Sequence, residues 1–445
     1  MSIWSQAREI ALATPDDRNR YVDFLRAVSI GFVIIGHWLI TTAHYDATTG
    51  SMTPVLALDI IPWTSWLTWV FQVMPIFFIV GGYSNAVSLE GARRKQVGYA
   101  QWLTGRLHRL LTPLLLLVLV WAGIAFALNL AAVAPDKIKF LSRTALVPTW
   151  FLAIYTMIVL LAPLTYRLWQ RWGFASLAVY IGLAVLVDYL FFSLNVQWTG
   201  WTNYFWVWLA MHHLGFAWRD GRLGKPPTMI ALSIVSLLIL YALITWGPYP
   251  IAMAGSPGDE VSNTLPPKIT LIALGLCQFG LLMAIEKPMQ RLLRSLNLWT
   301  ITVIVNTMIM TIYLWHMTVL LAVLVVSYFM EGVGMTLVPG SNAWWWSRPI
   351  WLAILGGLLI PVALLLSPLE RVSRPKGAPS PSTARLVGGA MMAGSGLTLA
   401  TLLGFDGNLL SLTNTGIIAL VIGGAWTAGV SVRLSEADYT IGPSV

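Results

Sequence analysis

Tyr21-Val-Asp-Phe-Leu-Arg26-Ala-Val-Ser-Ile-Gly-Phe-Val-Ile-Ile-Gly-His37-Trp38 is an apolar run of membrane-spanning length that holds an arginine and a histidine. Inside a bilayer such residues are costly, and they normally face a protein interior or a wet cavity rather than lipid. Eleven positions at about 100° each bring Arg26 and His37 to within ~20° of one helical face. At ~1.5 Å of rise per residue they stand about 16 Å apart along the axis. Asp23, one turn before Arg26, is spaced to pair with it and lower the cost of holding it there. A cation and a titratable base on one stripe read as parts of a reaction path.

The rest of the chain extends this reading. Its 445 residues are 57% hydrophobic and 10% charged, against roughly 25% charged in soluble domains. The expected fold is all-α, a polytopic transmembrane helical bundle of about 12 spans. By number these are 24–44, 64–88, 107–130, 148–168, 173–193, 200–218, 229–247, 268–285, 302–329, 347–368, 386–404 and 412–432. The 23 tryptophans fit, because Trp collects at membrane interfaces. Twenty-two of the 27 Lys and Arg fall on segments that lie inside when the N-terminus is cytoplasmic. Lys137, Lys139, Arg143, Lys268 and Arg348 fall outside. That asymmetry sets both termini in the cytoplasm and accounts for the net charge of +9 without nucleic acid. Cys277 is the single cysteine, so no internal disulfide and no cysteine-based metal cluster is expected. The six histidines lack metal-ligand spacing, so no metal is expected either.

Four segments follow. Residues 1–20 form a charged lead that is expected to be retained and to lie on the inner interface. Residues 21–370 hold ten spans. Residues 371–385, rich in Pro, Ser and basic residues, read as a cytoplasmic linker. Residues 386–445 hold a final pair of spans rich in Gly, Ala and Leu, which suits close helix packing.

Further polar groups lie within the spans. His316, in Tyr313-Leu-Trp-His316, and His37 are each some 13 or 14 residues from the inner end of their spans, so both are expected near mid-membrane. In the second span Pro75 can kink the helix, and Gly81-Gly82 admits either a neighbouring helix or a ligand. The third span opens with Trp102-Leu-Thr-Gly-Arg106-Leu-His-Arg109, two arginines one turn apart where the helix dipole favours anions. By itself that pair also fits topology charge. His212 and His213 read as interface residues at the inner end of the sixth span, and Glu286 and Glu370 as a solvated rim.

These residues resemble a known family. Arg26 and His37 with ten residues between them, Arg106-x-x-Arg109, the Phe-Phe-Ile-x-Gly stretch of the second span, Trp150-Phe-Leu152 and Tyr313-Leu-Trp-His316 together are similar to the acyltransferase-3 family over about residues 18–370. The chain departs from the usual pattern at Val80 and at Met308-Ile-Met-Thr-Ile. The resemblance implies an integral membrane O-acyltransferase of a bacterial plasma membrane. Such an enzyme moves an acyl group, often acetyl, from cytoplasmic acyl-CoA to a hydroxyl of an extracytoplasmic glycan, glycolipid or related envelope molecule. Acyl-CoA is then a co-substrate, and no cofactor is permanently bound.

A thioester is already activated, so such an enzyme needs mainly a base and oxyanion stabilisation, and histidine is the usual base. His37 is expected as that base, with Arg26 on the donor or its carbonyl oxygen and Asp23, His316 and Tyr313 in support. Arg106 and Arg109 are expected to hold the CoA phosphates. Both a direct transfer and an acyl-histidine intermediate stay open. A transporter or lipid flippase without acyl chemistry is the rival class. It is disfavoured because the sequence shows no related halves.

Overall fold

The computed structural model describes residues 3–15, 17–255, 259–370, 379–408 and 410–430. In chain order the helices begin with α1 (Ile3–Leu12) and α2 (Arg20–Ile40), and then a hairpin of β1 (Thr41–Asp46) and β2 (Ser51–Leu56). There follow α3 (Ala57–Ile60), α4 (Thr64–Phe71), α5 (Met74–Arg94), α6 (Tyr99–Leu130), α7 (Pro135–Leu146) and α8 (Thr149–Trp172). Next come α9 (Phe174–Phe192), α10 (Asn203–Arg219), α11 (Pro226–Trp246), α12 (Ile269–Ala284), α13 (Glu286–Leu292) and α14 (Leu296–Thr307). The described chain closes with α15 (Ile309–Phe329), α16 (Asn342–Glu370), α17 (Thr383–Leu403) and α18 (Leu412–Thr427).

Among the described residues nine helical stretches are long and apolar enough to cross a membrane, and α12 with α13, bent by 55°, makes a tenth if counted as one span. The fold is thus nearly all helical, as expected, with differences that have local causes. The second expected span is α4 and α5, separated at Gln72 and Val73, because Pro75 sits in the first turn of α5 where its missing N–H is harmless. The ninth is broken at Met308. Its first part, α14, packs on α1, where Trp299 and Val303 bury Ala7 and Ala11. The lead is therefore a helix with a covered face. The chain is not purely α, since β1 continues directly from α2 at the β-branched pair Thr41-Thr42. The expected linker falls largely on residues 371–378, and the tail on 431–445, both outside the described residues.

Asn19 caps α2, its Oδ1 accepting from the backbone N–H of Tyr21 at 3.1 Å. Helices α5 and α10 cross with their backbones in close approach. A Cβ on Gly82 would stand 2.9 Å from the carbonyl carbon of His212 and 3.2 Å from the Cα of Gly215. Gly81-Gly82 is thus a packing notch, and only glycine fits it. The α17–α18 pair packs through Gly389 and Gly424 and docks on the α7–α8 junction. There the Thr149 and Thr401 hydroxyls are 2.8 Å apart, and Phe405 N–H donates to Ser142 Oγ at 2.8 Å.

Candidate active site

The two membrane histidines meet. His37 Nδ1 lies 2.8 Å from His316 Nε2, and the rings are stacked at 5.1 Å with 6° between their planes. His316 Nδ1 lies 2.6 Å from the carbonyl oxygen of Tyr313, one turn back on α15. A carbonyl only accepts, so that nitrogen carries the proton. In the uncharged pair His316 Nε2 is then an acceptor, and His37 Nδ1 must donate to it. His37 Nε2 is left with its lone pair free and with no protein partner among the described residues. His316 is fully buried, while His37 stays partly accessible. The arrangement presents one basic nitrogen, orients it from behind, and leaves it reachable.

The pair is held on every side. Trp38 Nε1 donates to the carbonyl of His316 at 3.1 Å, and Trp351 Nε1 donates to the carbonyl of Trp38 at 3.2 Å. The Tyr313 hydroxyl donates to the carbonyl of Pro148 at 2.9 Å. Tyr313 therefore serves through its backbone oxygen on one side and anchors α15 to α8 on the other. His37 stands three residues before the end of α2 at Ile40 rather than midway along a span, because the helix stops where the strand begins.

Towards the other end of α2, arginines gather on α5. Arg26 Nη1 donates to Asp23 Oδ1 at 3.2 Å, the expected pair, and Arg18 Nε donates to the second oxygen of Asp23 at 2.8 Å. Arg26 Nη2 donates to Ser84 Oγ at 2.8 Å. Arg106 Nη2 reaches the carbonyl of the same Ser84 at 3.3 Å and Asn85 Oδ1 at 2.9 Å. Asn85 Nδ2 then meets His212 Nε2 at 3.0 Å and the Tyr155 hydroxyl at 3.5 Å. Two guanidiniums thus share one serine inside the bundle. The buried Arg106 Nε has no hydrogen-bond partner among the described residues. Arg109 points elsewhere: it is exposed, with Nε donating to the carbonyl of Gly105 in its own helix at 3.3 Å.

Several expectations need correction. His212 and His213 are both fully buried in α10 rather than at an interface, because the α5 glycines draw that helix into the centre. Glu370 is not on a solvated rim. It is buried, accepting from Thr311 Oγ1 at 2.5 Å and Trp315 Nε1 at 3.0 Å, and so ties the end of α16 beside the histidine turn. Glu286 is half-buried and accepts from Asn19 and Trp218. Arg348 lies inside α16 and is buried, not in an outer loop. Nothing in the spacing of the sequence singles out Ser84, Asn85, Tyr155 or His212 as site residues. Their one local signal is the Ser84-Asn85 pair inside an apolar run, since buried amides are kept where they have partners.

The apolar helices and the polar groups enclosed among them define an integral membrane protein with a buried polar site. The chain belongs to the acyltransferase-3 family, whose model, an acyltransferase domain, matches residues 19–368. It is a membrane acyltransferase. The match takes in α2 through nearly all of α16 and leaves α17 and α18 outside. No curated protein and no solved structure matches the chain significantly.

Proposed function

We propose that the protein transfers an acyl group, acetyl in the first instance, from cytoplasmic acyl-CoA to a hydroxyl of an extracytoplasmic glycan, glycolipid or related envelope molecule in a bacterial plasma membrane. The distribution of Lys and Arg supports cytoplasmic termini. The Arg20 end of α2 then faces the cytoplasm and the His37 end faces outward. The observation that carries the reading is the hydrogen-bonded run from the Tyr313 carbonyl through His316 to His37, which leaves His37 Nε2 as the accessible base.

In this mechanism the acceptor hydroxyl reaches His37 Nε2, gives up its proton, and attacks the thioester carbonyl. The proton passes to the departing CoA thiolate. As His37 becomes cationic, His316 Nε2 accepts a stronger, charge-assisted bond from its Nδ1. The bond therefore helps the transition state more than the ground state. Arg109, exposed where the donor enters, and Arg106 bind CoA phosphates. Arg26, further along and fixed by Asp23 and Ser84, holds the donor arm.

Labelled acetyl-CoA with purified protein in nanodiscs tests this. Slow acetyl-CoA hydrolysis is expected, with transfer when an envelope extract supplies acceptors. A His37→Ala variant that folds and keeps full turnover would falsify the assignment.

A further inference from the structure

Among the described residues two buried cations, Lys268 and Arg348, belong to neither the histidine pair nor the Ser84 cluster. Arg348 is 4% exposed. Its Nε donates to the carbonyl of Trp344 at 3.3 Å and its Nη2 to Ser347 Oγ at 3.0 Å, both within its own helix. Its Nη1 is buried with no hydrogen-bond partner among the described residues, and no carboxylate pairs with it there. The guanidinium carbon lies 4.2 Å from the Trp344 ring centroid and 5.5 Å from that of Trp351. Indole faces attract a cation, but they leave its in-plane N–H groups unsatisfied. A charge taken out of water without a counter-ion is costly, and a chain that keeps one has a use for it.

Its place indicates the use. Trp351, under the guanidinium, donates to the carbonyl of Trp38, the residue after His37. Beyond Trp38 the chain enters β1, which buries two further polar atoms with no hydrogen-bond partner among the described residues, Thr42 Oγ1 and His44 Nδ1. Trp344 packs on Ala57 and Ile61, which follow β2. The segments that flank the hairpin, Trp38 before it and Ala57 to Ile61 after it, therefore pack on the start of α16 at the His37 end of α2, where the proposed acceptor arrives.

We propose that Arg348 recognises an acidic group, carboxylate or phosphate, on the acyl acceptor. This rests on the reading that the acceptor approaches from the His37 end. The free Nη1 supplies the donors that an oxyanion takes in charge-assisted bonds. A neutral acceptor leaves Nη1 unpaired, so the site discriminates against it.

Calorimetry on the full chain in nanodiscs, without acyl donor, tests the proposal with hexyl β-glucoside, hexyl β-glucuronide and hexyl glucoside 6-phosphate. At least one acidic probe is expected to bind roughly 10- to 100-fold tighter than the neutral one, the scale of one charge-assisted hydrogen bond. Which acid wins distinguishes carboxylate from phosphate. Arg348→Gln should abolish the preference, and Arg348→Lys should keep part of it. Equal affinities in the unaltered protein, no detectable binding of either acid, or an unchanged preference in Arg348→Gln each overturn the proposal. Should the glutamine variant not fold, the unaltered protein and Arg348→Lys decide: loss of the whole preference on retaining the charge also counts against it. Because no donor is present, Arg348-dependent binding survives a failure of the acyl-transfer reading, and the two failures are told apart.

Discussion

Replacing His316 by alanine separates a positioning role from mere packing. In the unaltered protein His37 Nδ1 donates to His316 Nε2 across 2.8 Å, and the Tyr313 carbonyl fixes the tautomer across 2.6 Å. Removing the ring leaves the His37 N–H without its acceptor and frees the imidazole to adopt the other tautomer. A hydrogen bond to a group that becomes charged is worth about 1.5–3 kcal/mol. If that bond matters chiefly once His37 is cationic, kcat falls roughly 10- to 150-fold at about 1.36 kcal/mol per decade. KM for acetyl-CoA should stay nearly constant, because the arginines that gather on Ser84 and Asn85 are separate from the histidines. Removing His37 itself should cost about 10²- to 10⁴-fold, and the double variant should be no worse than His37→Ala, because the pair acts as one unit. Initial rates of labelled acetyl transfer, with thermal melting to confirm folding, provide the readout. A folded His316→Ala variant within about twofold of the original kcat, or a double variant whose losses multiply, refutes the reasoning.

Three other outcomes follow from the geometry. Arg106→Gln should raise KM for acetyl-CoA about 10-fold or more with a smaller change in kcat, since it removes a donor-side charge held by Asn85; an unchanged KM in steady-state kinetics contradicts that role. Gly82→Ala should destabilise the protein by about 1–3 kcal/mol, because its methyl must push α5 off α10, and a melting temperature equal to the original counts against the crossing. Lys268 is fully buried, lies 3.7 Å above the Phe191 ring, and is pushed down to about 8 by burial, with Asp188 pulling it partly back up. Between about 8 and its ordinary 10.5 the unfolded chain holds a proton that the folded chain has released. Stability should therefore climb as pH rises through that window. Lys268→Met should flatten this part of the melting profile, and an identical slope in both proteins excludes Lys268 as its source.

Much of the site was legible because single helices obey a fixed periodicity. Arg26 and His37 share a face at any tilt of α2, and Asp23 pairs with Arg26 through local spacing alone. Pro75 announced the break before α5, and the departure from the family pattern at Met308 coincides with the break before α15. The Arg106–Arg109 pair shows the limit of such reasoning. One turn of helix made them neighbours, yet Arg106 found Asn85 inside the bundle while Arg109 stayed exposed. Which of two adjacent cations is drawn inward depends on what a different helix presents.

The membrane class, the helical content, the face shared by Arg26 and His37, and the family pattern are all legible along the chain. Each of these follows from local hydrophobicity and the 3.6-residue repeat. Only the packing of helices on one another decided that His316 turns its Nε2 to His37, that Ser84 joins Arg26 to Arg106, and that Arg348 is buried over Trp351, which bonds to Trp38. Those contacts join residues 22 to 279 positions apart or bury a charge against another part of the fold. They depend on how helices cross, and the α5–α10 crossing at Gly82 and Gly215 is fixed by which backbones can approach. The periodicity of one helix carries no information about the position of the next.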